Sequence, residues 1–180
     1  MFHQRLSMLL AILFFSSTSL GELFLGKEEI SPGIVLTFEV APKDTISPTQ
    51  FYLPEKETDV HLEVLAVWGD SAPKGSVLGG FVPYLDVSGV VINKQTAAVV
   101  NFQLTPHLNL SDNFHYAQNI TLPGKLDELY DLVFEVRAPK PGELGMHLDW
   151  TDSLGLELIT DVEFKFLELN LKDVSLSSRR

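Results

Sequence analysis

The chain has 180 residues, with 24 acidic against 13 basic side chains and a formal net charge of −11. A surface of that sign repels polynucleotide phosphates and anionic headgroups, which argues against nucleic acid or a membrane surface as partner; cations are the natural ligands, although an acidic surface also serves plain solubility. Cysteine is absent, which excludes thiol nucleophiles, iron–sulfur clusters and thiolate zinc sites and leaves any metal with nitrogen and oxygen ligands.

Residues 1–21 have the form of an export signal, with Arg5 in the basic region, Leu9 to Phe15 as the apolar stretch and Ser19-Leu20-Gly21 as a small-residue cleavage pattern. The mature domain is therefore expected over residues 22–180. The apolar stretch is shorter than the ~20 residues a bilayer span needs and no later segment reaches that length, so stable membrane insertion is not expected. The destination is the periplasm or the exterior. Disulfides survive there, yet none is available, and the core alone must hold the fold. A chain of this size typically buries ~70% of its unfolded surface, enough for one domain without staples.

Period-two alternation dominates the mature region. Ile34, Leu36, Phe38 and Val40 share one face with Thr37 and Glu39 opposite, the pattern of a half-buried strand. Strands are predicted likewise over Val60 to Trp68, Phe81 to Ile92, Ala97 to Leu104, Tyr130 to Arg137 and Val162 to Leu169. Pro- and Gly-rich turns separate them, and no amphipathic helix stands out. Six or more short strands in one domain predict an all-β sandwich. Ser175 to Arg180 read as a frayed tail. Two sequons, at Asn109 and Asn119, matter only in a source that glycosylates exported proteins.

The mature region has four histidines, His61, His107, His115 and His147, and three of them lie within three residues of a carboxylate. On an extended strand His61 and Glu63 share a face and can converge on one ion, although a solvated strand face has the same pattern. Leu108 to Tyr116 are polar and irregular, as in a loop around a site. Asp112 and His115 can ligate together there, or Asp112 can simply turn the loop. His147 and Asp149 repeat the same-face pairing if their segment is extended. Whether these three distant pairs meet is not decided by spacing.

Five short motifs occur in the order found in the periplasmic iron-transport protein family: Phe24 to Glu28, Asp59 to Glu63, Phe81 to Leu85, Asp112 to Ile120 and Gly145 to His147. The resemblance covers nearly the whole mature chain. It implies a homodimer of immunoglobulin-like β-sandwich subunits, each with a histidine-rich site for iron or copper near the dimer interface, which helps deliver iron to an inner-membrane iron permease. Carried over by position, it implies His61, Glu63, Asp112, His115 and His147 as metal ligands, with Asp149 where the family has a second histidine. The family's methionine ligand, seven residues before the loop histidine, is matched by Leu108. Loss of the thioether should disfavour Cu(I) and shift the site toward Cu(II), iron or Mn(II), with His107 placed to compensate. Affinity should also fall as pH drops through the ordinary imidazole pKa, ~6.5.

Two other functions compete with metal capture. An enzyme would need a substrate pocket or a general base distinct from these ligands, and neither is identifiable, so a non-enzymatic role is expected. A metal-independent extracellular interaction module with the same fold is the alternative, because β-sandwiches host many binding functions.

Overall fold

The computed structural model describes residues 21–179. The expected export signal therefore lies, apart from Gly21, outside the described residues. Eight antiparallel strands run as β1 (Leu23–Ile30), β2 (Ile34–Ala41), β3 (Val60–Trp68), β4 (Asp86–Asn93), β5 (Val99–Asn109), β6 (Asn113–Ile120), β7 (Leu129–Arg137) and β8 (Val162–Asn170). Two short helices, α1 (Leu148–Leu154) and α2 (Lys172–Leu176), complete the regular elements apart from two single-turn 3₁₀ segments.

The strands form one sheet in the order β1-β2-β3-β6-β5-β4-β7-β8. Strand β5 carries the turn between its two halves, pairing with β4 through Val99 to Leu104 and with β6 through Thr105 to Asn109. Each part of β5 thus has one unpaired edge along these ladders, a setting in which Pro106 is tolerated despite its missing N–H. The halves face one another across a phenylalanine cluster, with Phe38 of β2 at 5.1 Å from Phe134 of β7 and 4.7 Å from Phe164 of β8 between ring centroids. The end strands come close as well, since a Cβ on Gly26 of β1 would lie 3.1 Å from the ring of Phe166 on β8. The sheet is therefore nearly closed.

Alternation explains most of these elements. On β2 Ile34, Leu36, Phe38 and Val40 are fully buried, and on β7 so are Tyr130, Leu132, Phe134 and Val136. Gly89 on β4 is required by close approach, because a Cβ there would sit 2.0 Å from the Val133 carbonyl oxygen.

Three expectations change and one strand was not anticipated. The strand predicted from Phe81 begins only at Asp86, because Pro83 and Tyr84, the latter at a φ of 68°, break the extended run and leave Phe81 in a single bridge to Val67. Leu23 to Ile30 form an edge strand with an irregular register near Gly26, which hides its alternation. Leu108 to Tyr116, expected as loop, instead end β5, turn at residues 110–112 and begin β6, which runs from Asn113 to Ile120 at the centre of the sheet. Of Ser175 to Arg180, expected as a frayed tail, Arg180 lies outside the described residues, and the segment before it is docked: Ser175 is 1% exposed and its hydroxyl donates to the Lys172 carbonyl.

Candidate metal centre

Strand β3 is buried on both faces from Val60 to Val64, which is unusual where only one face of a sheet meets the core. Val60, Leu62, Val64 and Ala66 enter the apolar core, while His61 and Glu63 point the other way and are each 1% exposed. The register places His61 opposite Asn119 and Glu63 opposite Ala117 on β6, and His107 of β5 opposite His115 of β6. His61, Glu63, His115, Asn119 and His107 thus share the face away from the core. The segment between β2 and β3 covers it, with Tyr52 meeting the His107 ring edge-on at 5.1 Å.

His61, His107 and His115 each offer a ring nitrogen within 4.8 Å of the others. Their orientation is fixed by neighbours. Asn119 donates through Nδ2 to the carbonyls of Asp44 and Leu53, at 2.8 and 2.9 Å, so its Oδ1 is the acceptor facing His61 Nδ1 at 2.8 Å. That makes His61 Nδ1 the donor and leaves a lone pair on Nε2, a buried atom with no hydrogen-bond partner. His115 Nδ1 donates to the Asn113 carbonyl at 3.1 Å, which frees its Nε2 in the same way. Both ring nitrogens of His107 are buried without partner. Orphaned buried nitrogens are costly, and three imidazoles aimed together fit a cation that accepts their lone pairs.

Burial favours the neutral form of these rings. Desolvation pushes His61 down to about 3 against the upward pull of its bond to Asn119, and pushes His107 down to about 4 with help from His115. His115 is lowered as well, chiefly by burial. Acidification through 6.5 therefore leaves His61 and His107 able to ligate, in contrast to the expectation from free imidazole. Glu63 moves the opposite way: desolvation raises it to about 7, although Arg179 pulls it back. Its Oε1 lies 3.6 Å from His61 Nε2, a contact between a carboxylate and a neutral ring rather than an ion pair.

The expected ligands separate into two groups. His61, Glu63 and His115 come together, and His107, read only as a neighbour of Leu108, is the third imidazole. Leu108 is on the opposite face of β5 from His107 and 63% exposed. Asp112 sits in the β5–β6 turn, where its carboxylate accepts from Asn109 Nδ2 at 2.7 Å and Ser111 Oγ at 2.8 Å. Burial raises its pKa, but those two bonds outweigh this and hold it below the usual value. His147 and Asp149 are not extended: His147 caps α1 and Asp149 is in its first turn, both exposed, beside a cavity lined by Trp68, Met146 and Trp150. Within one chain they do not join the three imidazoles. Asn119 is 1% exposed with its amide fully engaged, so this sequon is part of the site rather than a glycan acceptor.

Sequence reasoning missed Asn119 and Arg179 as well. A polar strand flanking the turn Asn109 to Asn113 carried a usable signal, since His107 and His115 become partners once that turn is recognised as a hairpin.

Comparison with known proteins gives a consistent picture. The family model described as Fe2+ transport protein matches residues 19–172. A UPF0423 protein of Brucella abortus (strain 2308) is 27% identical over 139 residues, 74% of each chain. A copper-bound variant of Campylobacter jejuni P19 has a TM-score of 0.69 at 22% identity, covering 82% of this chain and 96% of that one. A copper-bound variant of FetP from uropathogenic Escherichia coli strain F11 follows at 0.65 and 23%, covering 83% and 98%. FetP as isolated after recombinant expression in the periplasm gives 0.63 at 24%, covering 81% and 95%. At these identities the structural likeness carries the fold.

Proposed function

The chain belongs to the Fe2+ transport protein family, and from that premise we propose that it is a periplasmic, non-enzymatic protein that captures copper or iron at His61, His107 and His115 and supports iron uptake through an inner-membrane permease. The observation that carries this is the buried imidazole triad, in which His61 Nε2 and both His107 nitrogens have no partner within the protein. Imidazole nitrogen with a nearby carboxylate suits Cu(II) and Fe(II). Glu63 supplies that carboxylate and Asp112 adds negative charge at the rim. The P19 and FetP variants are copper-bound, which supports the same chemistry here. Periplasmic expression of FetP supports the compartment. The immunoglobulin-like character of the fold belongs to this reading and is supported by the two face-to-face halves of the sheet.

A homodimer belongs to the reading too. His147 and Asp149 are exposed and remote from their own triad in sequence and cavity, so a second copy is the route by which they can meet a metal. A metal-independent interaction module gives no account of three buried, mutually facing imidazoles. The test is metal content: protein isolated from its native compartment should carry copper or iron stoichiometrically, with anomalous scattering at the metal edge placing the ion between the three rings. Metal-free protein that binds neither Cu(II) nor Fe(II), or unchanged binding in His61→Ala, would refute the proposal.

A further inference from the structure

The segment after α2 reaches the candidate site. Arg179 Nη2 lies 2.5 Å from Glu63 Oε1, and the guanidinium also reaches Asp44 and Glu22 at 3.6 Å each. Glu63 and Arg179 are 116 positions apart in sequence, so only the docking of α2 and the residues after it makes this contact. The oxygen that Arg179 holds is also the one facing His61 Nε2 at 3.6 Å. With the His61 proton committed to Asn119, the imidazole lone pair and the carboxylate oxygen are two acceptors pointing at one another. Such a pair needs a cation, and Arg179 serves the Glu63 half of it.

We propose that Arg179 is an internal counter-ion that competes with the metal for Glu63 Oε1, so that the C-terminal tail acts as a latch released when metal binds. The proposal rests on the triad being the metal site. A metal bonded to His61 Nε2 and Glu63 Oε1 would place a second positive charge at the oxygen already engaged by the guanidinium, in a pocket where burial of Glu63 and His61 limits screening. One cation must yield. Arg179 lies beyond the buried part of α2 at Val174 and Ser175, so the guanidinium and the residues just before it are the cheaper element to move. The coupling is reciprocal: whatever factor Arg179 takes from metal affinity, metal takes from tail docking.

Cu(II) titration of the wild type, Arg179→Gln and the control Arg137→Gln separates the latch from bulk charge, because Arg137 on β7 pairs with Glu135 away from the site and its loss changes net charge equally. Arg179→Gln should tighten Cu(II) binding by about 5- to 150-fold, the usual range of coupling between linked sites, with little change for Arg137→Gln. Amide exchange over residues 177–179 should rise in the wild type on adding Cu(II), while α2 stays protected. Equal affinities for the two variants together with a tail that stays protected would overturn the latch while leaving the triad intact. Absence of Cu(II) and Fe(II) binding in the wild type and in Arg179→Gln alike would overturn both.

Discussion

His61-Leu62-Glu63 and His147-Leu148-Asp149 are nearly the same tripeptide, and the fold gives them opposite environments. The first lies on β3, under a covering segment and a docked tail, with each ionisable side chain 1% exposed and neighbours that fix its geometry. The second straddles the start of a seven-residue helix at the surface, with His147 extended at the N-cap and Asp149 in the first turn, so the strand alternation that would put both groups on one face is lost. A histidine two residues from a carboxylate thus becomes a candidate metal site by virtue of what covers it and what lies across the strand. Spacing alone is not sufficient.

The sharpest way to break this contrast is to remove a buried ring. His107→Ala should lower Cu(II) affinity by more than the about 10- to 100-fold typical of losing an outer-shell partner, because it removes a direct ligand; competition titration against a chelator checks this. Asn119→Ala should come next, within that 10- to 100-fold range, since it frees the His61 ring without removing it. It should also destabilise the protein by at least about 1–3 kcal/mol in denaturant melts, because the carbonyls of Asp44 and Leu53 lose their donor.

A pH profile sharpens the comparison further. Glu63 is raised to about 7, so Cu(II) affinity should fall as pH drops below 7 and the carboxyl takes up a proton, by up to about tenfold per pH unit. Glu63→Gln should flatten the profile between pH 6 and 8. His61 and His107, lowered to about 3 and about 4, contribute competition only in much stronger acid. Metal-free stability depends on the same shifts. Below 6.5 the unfolded chain protonates its histidines while the folded rings resist, so stability is lost as pH falls from there toward 4. Glu63 opposes this between 4.5 and about 7, where the folded state is the one that holds the extra proton. The two rings outweigh it, and Glu63→Gln should steepen the acid side of a urea-midpoint profile.

The smallest effects belong to the exposed pair and to Leu108. His147→Ala should change stability within about ±0.5 kcal/mol, as surface substitutions usually do, and should lower metal affinity only at concentrations where sedimentation shows a dimer. Leu108→Met should leave Cu(I) affinity unchanged, because the side chain is on the wrong face of β5; His107→Met is the substitution that should favour Cu(I) over Cu(II).

Strands β2, β3, β7 and β8 were legible because one face is apolar and the other is not. Strand β6 was not, although it is the centre of the site. Its outward residues His115, Ala117 and Asn119 are as buried as its core residues Tyr116 and Ile120, so apolar and polar side chains alternate without marking inside from outside. Departure from hydrophobic patterning at a functional strand is the expected conflict between chemistry and core formation. The helix at Leu148 was hidden for a different reason: it is one short, exposed element with no buried face to impose a period.

The amino-acid sequence by itself determined the all-β class, the absence of thiolate ligands from any metal site and the family, and it put His61, Glu63 and His115 among the candidate ligands, since these come from composition, period-two alternation and local motifs. Only the tertiary structure decided that His107 completes the triad, that Asn119 sets the His61 tautomer, that Arg179 reaches Glu63 and that His147 stands apart. Strand register and the docking of distant segments bring together residues such as Glu63 and Arg179, and neither is encoded in local spacing.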